Sequence, residues 1–245
     1  MEIWNVAHDL APEAANCFGS LDNIFSLNGT CVSRNRMSDV VRIGIDGKIY
    51  FVKRYYYAGN IWRKYLGFPR VVREYKNLKH FNQWQIPSAD IVAHGVQNKW
   101  GFFYRGAIVT AEIPKTQDLA ALAKEKPNLF KNRQWVNNVS QQLAAITRGL
   151  HQHSFTHNDL KWRNILVDQS DKVFIIDCPN GLFWIPPFLQ YRIIKDLACL
   201  DKVAKYHLTR TQRLRFYLQY SQKNRLDHAD KRKLRKLLSF FAGRE

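Results

Sequence analysis

Two carboxylates and one amide stand at the ends of apolar runs in the middle of this 245-residue chain. Asp159 and Asn164 lie five positions apart, and Asp177 follows the apolar residues 173–176. Carboxylate and amide oxygens are hard ligands of the kind that Mg²⁺ prefers, together with water and phosphate oxygens. A carboxylate can also orient a hydroxyl group for attack on a phosphate. These residue types in this order predict metal-assisted phosphoryl transfer.

The segment from His157 to Asn164 reads HNDLKWRN and fits the pattern H-x-D-L-x-x-x-N of kinase catalytic loops. Phosphoryl transfer needs in-line positioning and neutralisation of charge on the moving phosphate. We predict that Asp159 orients the attacking hydroxyl and that Lys161 contacts the transferred phosphate as a point charge. Asn164 and Asp177 are the predicted metal ligands. His157 is expected to order the loop.

A predicted hairpin brings the two metal ligands together. Residues 165–167 and 173–176 are rich in β-branched and apolar side chains, and the turn-rich residues 168–171 separate them. Antiparallel pairing across that turn would place Asn164 and Asp177 at the same end of the hairpin. The alternative is a surface hairpin with polar ends, but the joint occurrence of the three polar residues favours a site.

A lysine and a glutamate occur where apolar residues are expected. Residues 49–55 read as a strand, and its period of two places Lys53 between two aromatic residues on one face. Apolar residues recur at helical spacing from Arg70 to about Asn82, and Glu74 lies within their stripe. A buried carboxylate is costly unless it is paired. We therefore predict an ion pair in which Glu74 holds Lys53 against the α- and β-phosphates of a nucleotide. For the lysine alone, the alternative is a stem on the apolar face with its ammonium group in water.

The region before the lysine strand lacks the glycine-rich loop that covers nucleotide phosphates in protein kinases. Residues 33–42 contain no glycine. Backbone amides, Ser38 or Ser33 and an arginine are the candidates for this role, and an ordinary polar turn between strands is an equal alternative. Gly44 and Gly47 are expected to form a hairpin turn in front of the lysine strand.

With these residues, the chain resembles the lipopolysaccharide core kinases, the Kdo/heptose kinase family of Gram-negative bacteria. The resemblance implies ATP and Mg²⁺ as cofactors and a two-lobed, protein-kinase-like α+β fold. It also implies that residues 109–113, which include Glu112, link the lobes and bind adenine through their backbone. The resemblance extends from about Ser33 to Ala204 and rests on Val52-Lys53-Arg54-Tyr55, Ile61–Gly67, Arg73-Glu74-Tyr75, the catalytic loop and Ile176-Asp177.

The sequence departs from protein kinases after the second metal ligand. Asp177 is followed by Cys178 and not by Phe-Gly, and no A-P-E signature or long activation segment follows. This resembles small-molecule and glycolipid kinases more than a phosphorylation-switched protein kinase. Residues 192–202 resemble the helix that supports the catalytic loop, with Asp196 as the supporting carboxylate and Asp201 as its competitor.

Hydrophobic periodicity predicts a β-rich N-terminal lobe over residues 1–113 and a mainly helical C-terminal lobe over residues 114–245. Residues 1–30 are ambiguous, with a helix expected over Ala11–Cys17 and a strand over Ile24–Leu27. A linker is expected over Pro114–Gln117. One core-facing helix is predicted from apolar residues that alternate spacings of four and three: Trp135, Val139, Leu143, Ile146 and Leu150.

The formal net charge of +18 indicates an anionic partner. No nucleic-acid-binding module is recognisable, whereas basic clusters interleaved with aromatic residues fit adsorption to an anionic membrane. We therefore expect lipopolysaccharide core or another anionic glycolipid as partner, an anionic membrane surface, and no specific nucleic acid. The oligomeric state stays open.

The N-terminal sequence, the lengths of the apolar runs and the cysteines indicate where in the cell the protein is expected to act. The N-terminus does not read as a signal peptide, and the apolar runs are too short to span a bilayer. The four cysteines show no metal-ligand spacing, which favours reduced thiols. The expectation is a cytoplasmic protein at the periphery of the inner membrane.

Together these features predict an ATP- and Mg²⁺-dependent kinase that phosphorylates a heptose or Kdo hydroxyl of the lipopolysaccharide inner core. The sugar acceptor rests on the resemblance. Three alternatives stay open: a non-catalytic kinase-like module of envelope biogenesis, a small-molecule or protein kinase of the same fold, and a basic nucleic-acid-binding protein.

Overall fold

The computed structural model describes residues 1–56 and 69–243. The chain divides into two compact units. The first contains the described residues up to Asn82 together with Ser88–Ile113, and the second contains Gln83–Pro87 and the chain from Pro114 onward. The short segment 83–87 thus belongs to the helical unit, although it precedes the last two strands of the sheet.

The described strands of the first unit form one antiparallel sheet in the order β1-β5-β6-β4-β3-β2. The lysine strand β4 lies between β3 and β6, so its backbone is hydrogen-bonded on both sides. This position makes β4 a rigid support for Lys53. The elements are, in chain order, β1 (Glu2–Val6), α1 (Pro12–Cys17), α2 (Leu21–Ser26), β2 (Thr30–Arg34), β3 (Ser38–Ile45), β4 (Lys48–Tyr55), α3 (Arg70–Gln83), β5 (Ile91–Lys99) and β6 (Phe102–Ala111).

Alternating side chains of β4 serve the two faces of the sheet. Tyr50 and Val52 are buried in a core that α1 and α2 cover with Phe18 and other apolar residues. Lys53 and Tyr55 point to the other face, where both reach α3. The period of two therefore separates the core-forming residues of β4 from its polar contacts.

The N-terminal segment differs from its prediction. Residues 24–27 were expected to form a strand, but Leu21–Ser26 is the helix α2. The Ser20 side chain accepts a hydrogen bond from the Asn23 amide at 3.1 Å, which caps the helix. Leu21 and Ile24, three positions apart, are both fully buried. The cap and this helical spacing explain why the apolar run is not a strand.

The turn between β3 and β4 corrects the expected role of one glycine. Asp46 and Gly47 occupy the two turn positions with φ of 50° and 71°, as a two-residue primed hairpin turn requires. Gly44 instead lies inside β3, opposite Ile49. Of these two glycines, Gly47 is the one in the turn.

The second unit is mainly helical, and the predicted α+β class is confirmed. The linker expected over Pro114–Gln117 is shorter than predicted, because Thr116 and Gln117 pair with Asp168 and Val167. Within the described residues, no helix combines the length and apolar character needed to cross a bilayer.

The elements of the second unit are β7 (Thr116–Asp118), α4 (Leu119–Glu125), a 3₁₀ helix (Pro127–Lys131), α5 (Arg133–Gln152), β8 (Phe155–Thr156), a 3₁₀ helix (Trp162–Asn164), β9 (Ile165–Asp168), β10 (Val173–Ile175), β11 (Leu182–Phe183), α6 (Phe188–His207), α7 (Arg210–Ser221) and α8 (His228–Leu238).

The core-facing helix predicted from alternating spacings is α5. Its five predicted core residues, Trp135, Val139, Leu143, Ile146 and Leu150, are all buried. The helix begins at Arg133 and is capped by Asn132, whose side chain accepts hydrogen bonds from the amides of Gln134 and Trp135. It ends just before β8, the strand that leads into the catalytic loop.

A buried ion pair joins the N-terminal helices to the sheet. Arg54 donates to both carboxylate oxygens of Asp39 at 2.9 and 2.7 Å, and also to the carbonyls of Phe25 and Leu27. Burial acts to raise the pKa of the Asp39 carboxyl, but the hydrogen bonds and charge of Arg54 outweigh it and lower that pKa. The pair lies directly beside Lys53 and fixes this part of β4.

We predict that Asp39→Ala lowers the free energy of unfolding by about 3–5 kcal/mol, because it leaves a buried guanidinium without its carboxylate. Urea denaturation would measure the loss. The control is Glu112→Ala, which removes a solvent-exposed pair with Arg42 and should cost less than about 1 kcal/mol. Equal losses in the two variants would contradict the anchoring role of Asp39.

Candidate active site

The structure brings Asp159 and Lys161 together, as the sequence predicts. The Lys161 Nζ lies 2.6 Å from Asp159 Oδ1, and the Arg163 Nη2 lies 3.9 Å from Oδ2. The Asp159 side chain is 20% exposed, so it is accessible from solvent while its backbone is held. One carboxylate flanked by two cations combines a group that can orient a hydroxyl with positive charge for a phosphate.

The two predicted metal ligands lie at the same end of the β9–β10 hairpin. Ile165 pairs with Ile175, and the Ile176 amide donates to the Asn164 carbonyl at 3.0 Å. The Asn164 side chain donates through Nδ2 to the Asp159 carbonyl at 2.9 Å. That bond uses the amide nitrogen, and the amide oxygen is the atom that suits a metal ion.

This donor set fits Mg²⁺. The ion is commonly held by one or two protein oxygens and completes its octahedron with waters and substrate phosphates. Asn164 and Asp177 supply one neutral and one anionic oxygen donor, so the residues present match that requirement. Their role as metal ligands remains a prediction.

Two residues of the site adopt left-handed backbone conformations, which among non-glycine residues Asn and Asp tolerate best. The φ angles are 63° at Asn158 and 60° at Asp177. Such conformations persist where surrounding contacts favour them. At Asn158 the backbone amide donates a hydrogen bond to the Asp196 carboxylate at 2.8 Å, and the side-chain amide donates one to the Asn180 carbonyl at 3.0 Å.

Asp196 supports the catalytic loop from within the core. Its carboxylate is fully buried and accepts hydrogen bonds from the backbone amides of His157 and Asn158 at 2.7 and 2.8 Å. Asp201, the competing candidate, instead forms a bidentate pair with Arg213 at 2.6 and 2.5 Å. The assignment to Asp196 is therefore confirmed, and Asp201 has a different partner.

His157 is fully buried two positions before Asp159. Burial lowers the pKa of its imidazole, and the nearby carboxylates of Asp196, Asp177 and Asp159 oppose this shift only in part. A ring with a lowered pKa is neutral near pH 7. This agrees with a role in ordering the loop and not in carrying charge.

In the first unit, the expected ion pair is present. The Lys53 Nζ lies 3.0 Å from Glu74 Oε1, and Glu74 is buried on α3. The Tyr55 hydroxyl donates a short hydrogen bond to Glu74 Oε2, so both carboxylate oxygens are engaged. Burial and the Glu74 charge raise the pKa of Tyr55 well above its ordinary value, which keeps it a donor.

Sequence reasoning missed the role of Tyr55. Its position two residues after Lys53 placed it on the same face of the strand, which was the available signal. What the pattern did not show is that the hydroxyl reaches the same carboxylate as the lysine. Tyr55 thus adds a second restraint on Glu74.

The remaining cofactor candidates, Ser38 and Glu112, occupy defined positions in the first unit. Ser38 is buried at the start of β3, and its backbone amide donates a hydrogen bond to Asn35 Oδ1 at 3.0 Å. Residues 35–37 form a polar turn, as the alternative proposed. Glu112 pairs with Arg42, and its amide donates to the Ile49 carbonyl at 2.8 Å. Nucleotide binding by Ser38 and Glu112 stays a prediction. The aromatic and basic stretch Ile61–Gly67 lies outside the described residues.

Comparison with known proteins first defines the fold. The solved structure of "WaaP in complex with acyl carrier protein" matches with a TM-score of 0.73 at 20% identity, covering 97% of this chain and 95% of that chain. The described units therefore have the fold of WaaP.

Sequence comparison then defines the family. A family model described as "Lipopolysaccharide kinase (Kdo/WaaP) family" matches residues 31–220. The chain belongs to this lipopolysaccharide kinase family.

Curated relatives carry the name 3-deoxy-D-manno-octulosonic acid kinase. The protein of Vibrio cholerae is 27% identical over 136 residues, which are 56% of this chain and 52% of the relative. That of Haemophilus influenzae strain 86-028NP is 28% identical over 149 residues, 54% of this chain and 59% of the relative. That of Mannheimia succiniciproducens is 28% identical over 192 residues, 71% of each chain. The chain thus spans little more than half the length of the first two relatives.

We predict that Asp196→Asn accelerates hydrogen exchange of the His157 and Asn158 amides by about tenfold or more. An asparagine has one acceptor oxygen and no charge, so at least one charge-assisted bond, worth about 1.5–3 kcal/mol, is lost. NMR-detected exchange would measure it. Asp201→Asn on the same helix is the matched control and should leave both amides protected. Unchanged exchange in Asp196→Asn would contradict the supporting role.

Proposed function

We propose that this protein is an ATP- and Mg²⁺-dependent kinase that phosphorylates a sugar hydroxyl, of heptose or Kdo, on the lipopolysaccharide inner core. The observation that carries the proposal is the catalytic loop, in which Asp159 is paired with Lys161 and held through Asp196. Family membership supports the reaction class, and the names of the curated relatives support Kdo as the acceptor sugar.

In the proposed reaction, Asp159 accepts a hydrogen bond from the acceptor hydroxyl and takes its proton as the new O–P bond forms. The bond between the γ-phosphorus and the bridging oxygen breaks, and ADP leaves. Lys161 offsets the charge on the transferred phosphoryl group. Lys53, fixed by Glu74 and Tyr55, binds the α- and β-phosphates.

Asn164 and Asp177 would hold Mg²⁺ through their side-chain oxygens. When bound, the ion supplies further neutralisation of phosphate charge. The loop geometry prepares these ligands through the bond between Asn164 Nδ2 and the Asp159 carbonyl. A non-catalytic module would have no need for this arrangement, which weighs against that alternative.

We further propose that the protein acts at the cytoplasmic face of the inner membrane as a peripheral protein. The acceptor class is a membrane glycolipid, and the net charge of +18 favours adsorption to an anionic surface. Membrane adsorption also brings enzyme and acceptor into the same thin layer, which raises their encounter rate.

We expect Asp159→Asn to reduce phosphate transfer to purified core oligosaccharide by about 10²–10⁴-fold, because the general base is lost. MgATP should still raise the melting temperature of this variant, since Asp159 is not a proposed metal ligand. Asp177→Asn should lose the Mg²⁺-dependent part of that stabilisation, so that adding EDTA changes nothing further.

The matched control for both variants is Asp171→Asn. It removes a carboxylate from the turn of the same hairpin, where asparagine tolerates the φ of 65°. This variant should transfer phosphate at the normal rate. Full transfer by Asp159→Asn would refute the mechanism, and no response of the native protein to MgATP would favour a non-catalytic module.

An apolar cavity in the second unit supports a second partner. Its volume is about 520 Å³, within the range of roughly 300–1,000 Å³ found for ligand pockets. Phe130, Trp135 and Leu200 contribute to its apolar wall, and Arg210 and Arg213 also line it. WaaP was solved in complex with acyl carrier protein. We propose that this chain also binds such a carrier and that the cavity takes its acyl chain.

Long-chain acylated carrier protein should raise the melting temperature of this protein, whereas unacylated carrier should not, because only the former fills the cavity. Ala204→Leu places a larger side chain in the cavity and should reduce the rise in melting temperature. Differential scanning fluorimetry would measure both. An equal response to acylated and unacylated carrier would contradict occupation of the cavity.

A further inference from the structure

A run of exposed apolar side chains follows the metal-ligand loop. We call residues 182–191, which comprise β11, the connection after it and the first turn of α6, the apolar loop. Ile185 is 73% exposed, Phe188 60%, Tyr191 54% and Phe183 52%. Single exposed apolar residues are ordinary, but several within ten positions form a patch of the kind that marks an interaction surface.

The apolar loop is tied to the catalytic loop by backbone hydrogen bonds. Its strand β11 pairs with β8, with Leu182 opposite Thr156 and Phe183 opposite Phe155. The Trp184 amide donates to the Ser154 carbonyl at 2.8 Å. Because β8 leads directly into His157 and Asp159, any surface that seats the apolar loop also sets the orientation of the catalytic loop.

The charged residues in the sequence of the apolar loop and its C-terminal flank are of one sign. No acidic residue occurs between Asp177 and Asp196, whereas Arg192 and Lys195 do. The Arg192 guanidinium lies 4.2 Å from the Trp184 ring centre, so a cation borders the apolar side chains directly. Apolar residues rimmed by cations are typical of surfaces that bind anionic lipid interfaces.

The basic helix α8 adds to this charge. The Tyr191 ring lies 5.5 Å from that of Phe240, which follows α8 by two residues. The apolar loop and the end of the basic helix therefore belong to one packed region of the second unit. The exposed basic residues of α8 are Lys231, Arg232, Lys233, Arg235 and Lys236.

We infer that the apolar loop docks into the surface of a bilayer that contains anionic lipids, with Ile185 and Phe188 entering the interface. Docking by this loop would turn the catalytic loop toward acceptors carried in the same membrane. The value of that orientation for catalysis rests on the proposed function, whereas the docking itself does not.

A second copy of the chain fits this surface less well. A two-fold symmetric contact places the same patch on both partners. It would bring Arg192 and Lys195 of one copy, and its basic helix, toward the same cations of the other. Like-charge juxtaposition opposes such an association. An anionic lipid surface has the complementary charge, and this decides between the two occupants.

The test compares Ile185→Ser/Phe188→Ser with Trp100→Ser/Tyr206→Ser in vesicle co-sedimentation. Both double variants remove highly exposed apolar side chains, since Trp100 is 94% and Tyr206 69% exposed, so neither should unfold the protein. With vesicles of phosphatidylcholine and phosphatidylglycerol, the first variant should bind about tenfold or more weakly. The second should bind like the native protein. Native binding should weaken in high salt and on pure phosphatidylcholine vesicles.

Two outcomes would overturn the inference. One is equal vesicle binding by the Ile185→Ser/Phe188→Ser variant and the native protein. The other is a native dimer in gel filtration that this variant converts to a monomer, which would assign the patch to self-association.

Phosphate transfer separates this inference from the proposed function. The Ile185→Ser/Phe188→Ser variant should keep normal transfer to delipidated core oligosaccharide and lose transfer to lipopolysaccharide embedded in vesicles. If the native protein transfers phosphate to neither acceptor but the variant still loses vesicle binding, the kinase proposal fails and docking stands. If transfer occurs and vesicle binding is unchanged, docking fails and the kinase proposal stands.

Discussion

The carboxylate of Asp196 is the constraint on which the candidate site depends. Two successive backbone amides, at His157 and Asn158, point into the core and would be left without acceptors if this side chain were absent. A buried amide without a partner is costly, so the loop is held in the one path that presents both to the carboxylate. That path includes the left-handed conformation of Asn158, and it delivers Asp159 to the solvent-accessible side.

Both units use buried carboxylates to fix backbone that must not move. Asp39 joins the N-terminal helices to the sheet, Glu74 holds Lys53, and Asp196 holds the catalytic loop. In each case the charge is compensated by two or more donors, as burial requires. These three buried carboxylates therefore fix segments that carry residues with proposed chemical roles.

The sequence predicted the features that depend on local pattern. The catalytic loop, the β9–β10 hairpin, helix α5 and the pairing of Lys53 with Glu74 all follow from spacing and period. Features that depend on distant partners were not predictable. Strand β1 pairs with β5, some ninety positions away in the chain, and the choice of Asp196 over its neighbour on the same helix depends on which one meets the loop. The mistaken strand at residues 24–27 arose because a short apolar run is compatible with either element until its cap is recognised.

The double hydrogen bonding of Glu74 has a consequence for control. Moving α3 away from β4 would break the bonds to Lys53 and Tyr55 together and would strand a buried negative charge. In kinases that are switched on and off, the corresponding ion pair forms and breaks as the helix swings. A helix held to the sheet by two hydrogen bonds at one buried carboxylate is difficult to displace. The two bonds at Glu74 therefore oppose regulation by displacement of α3.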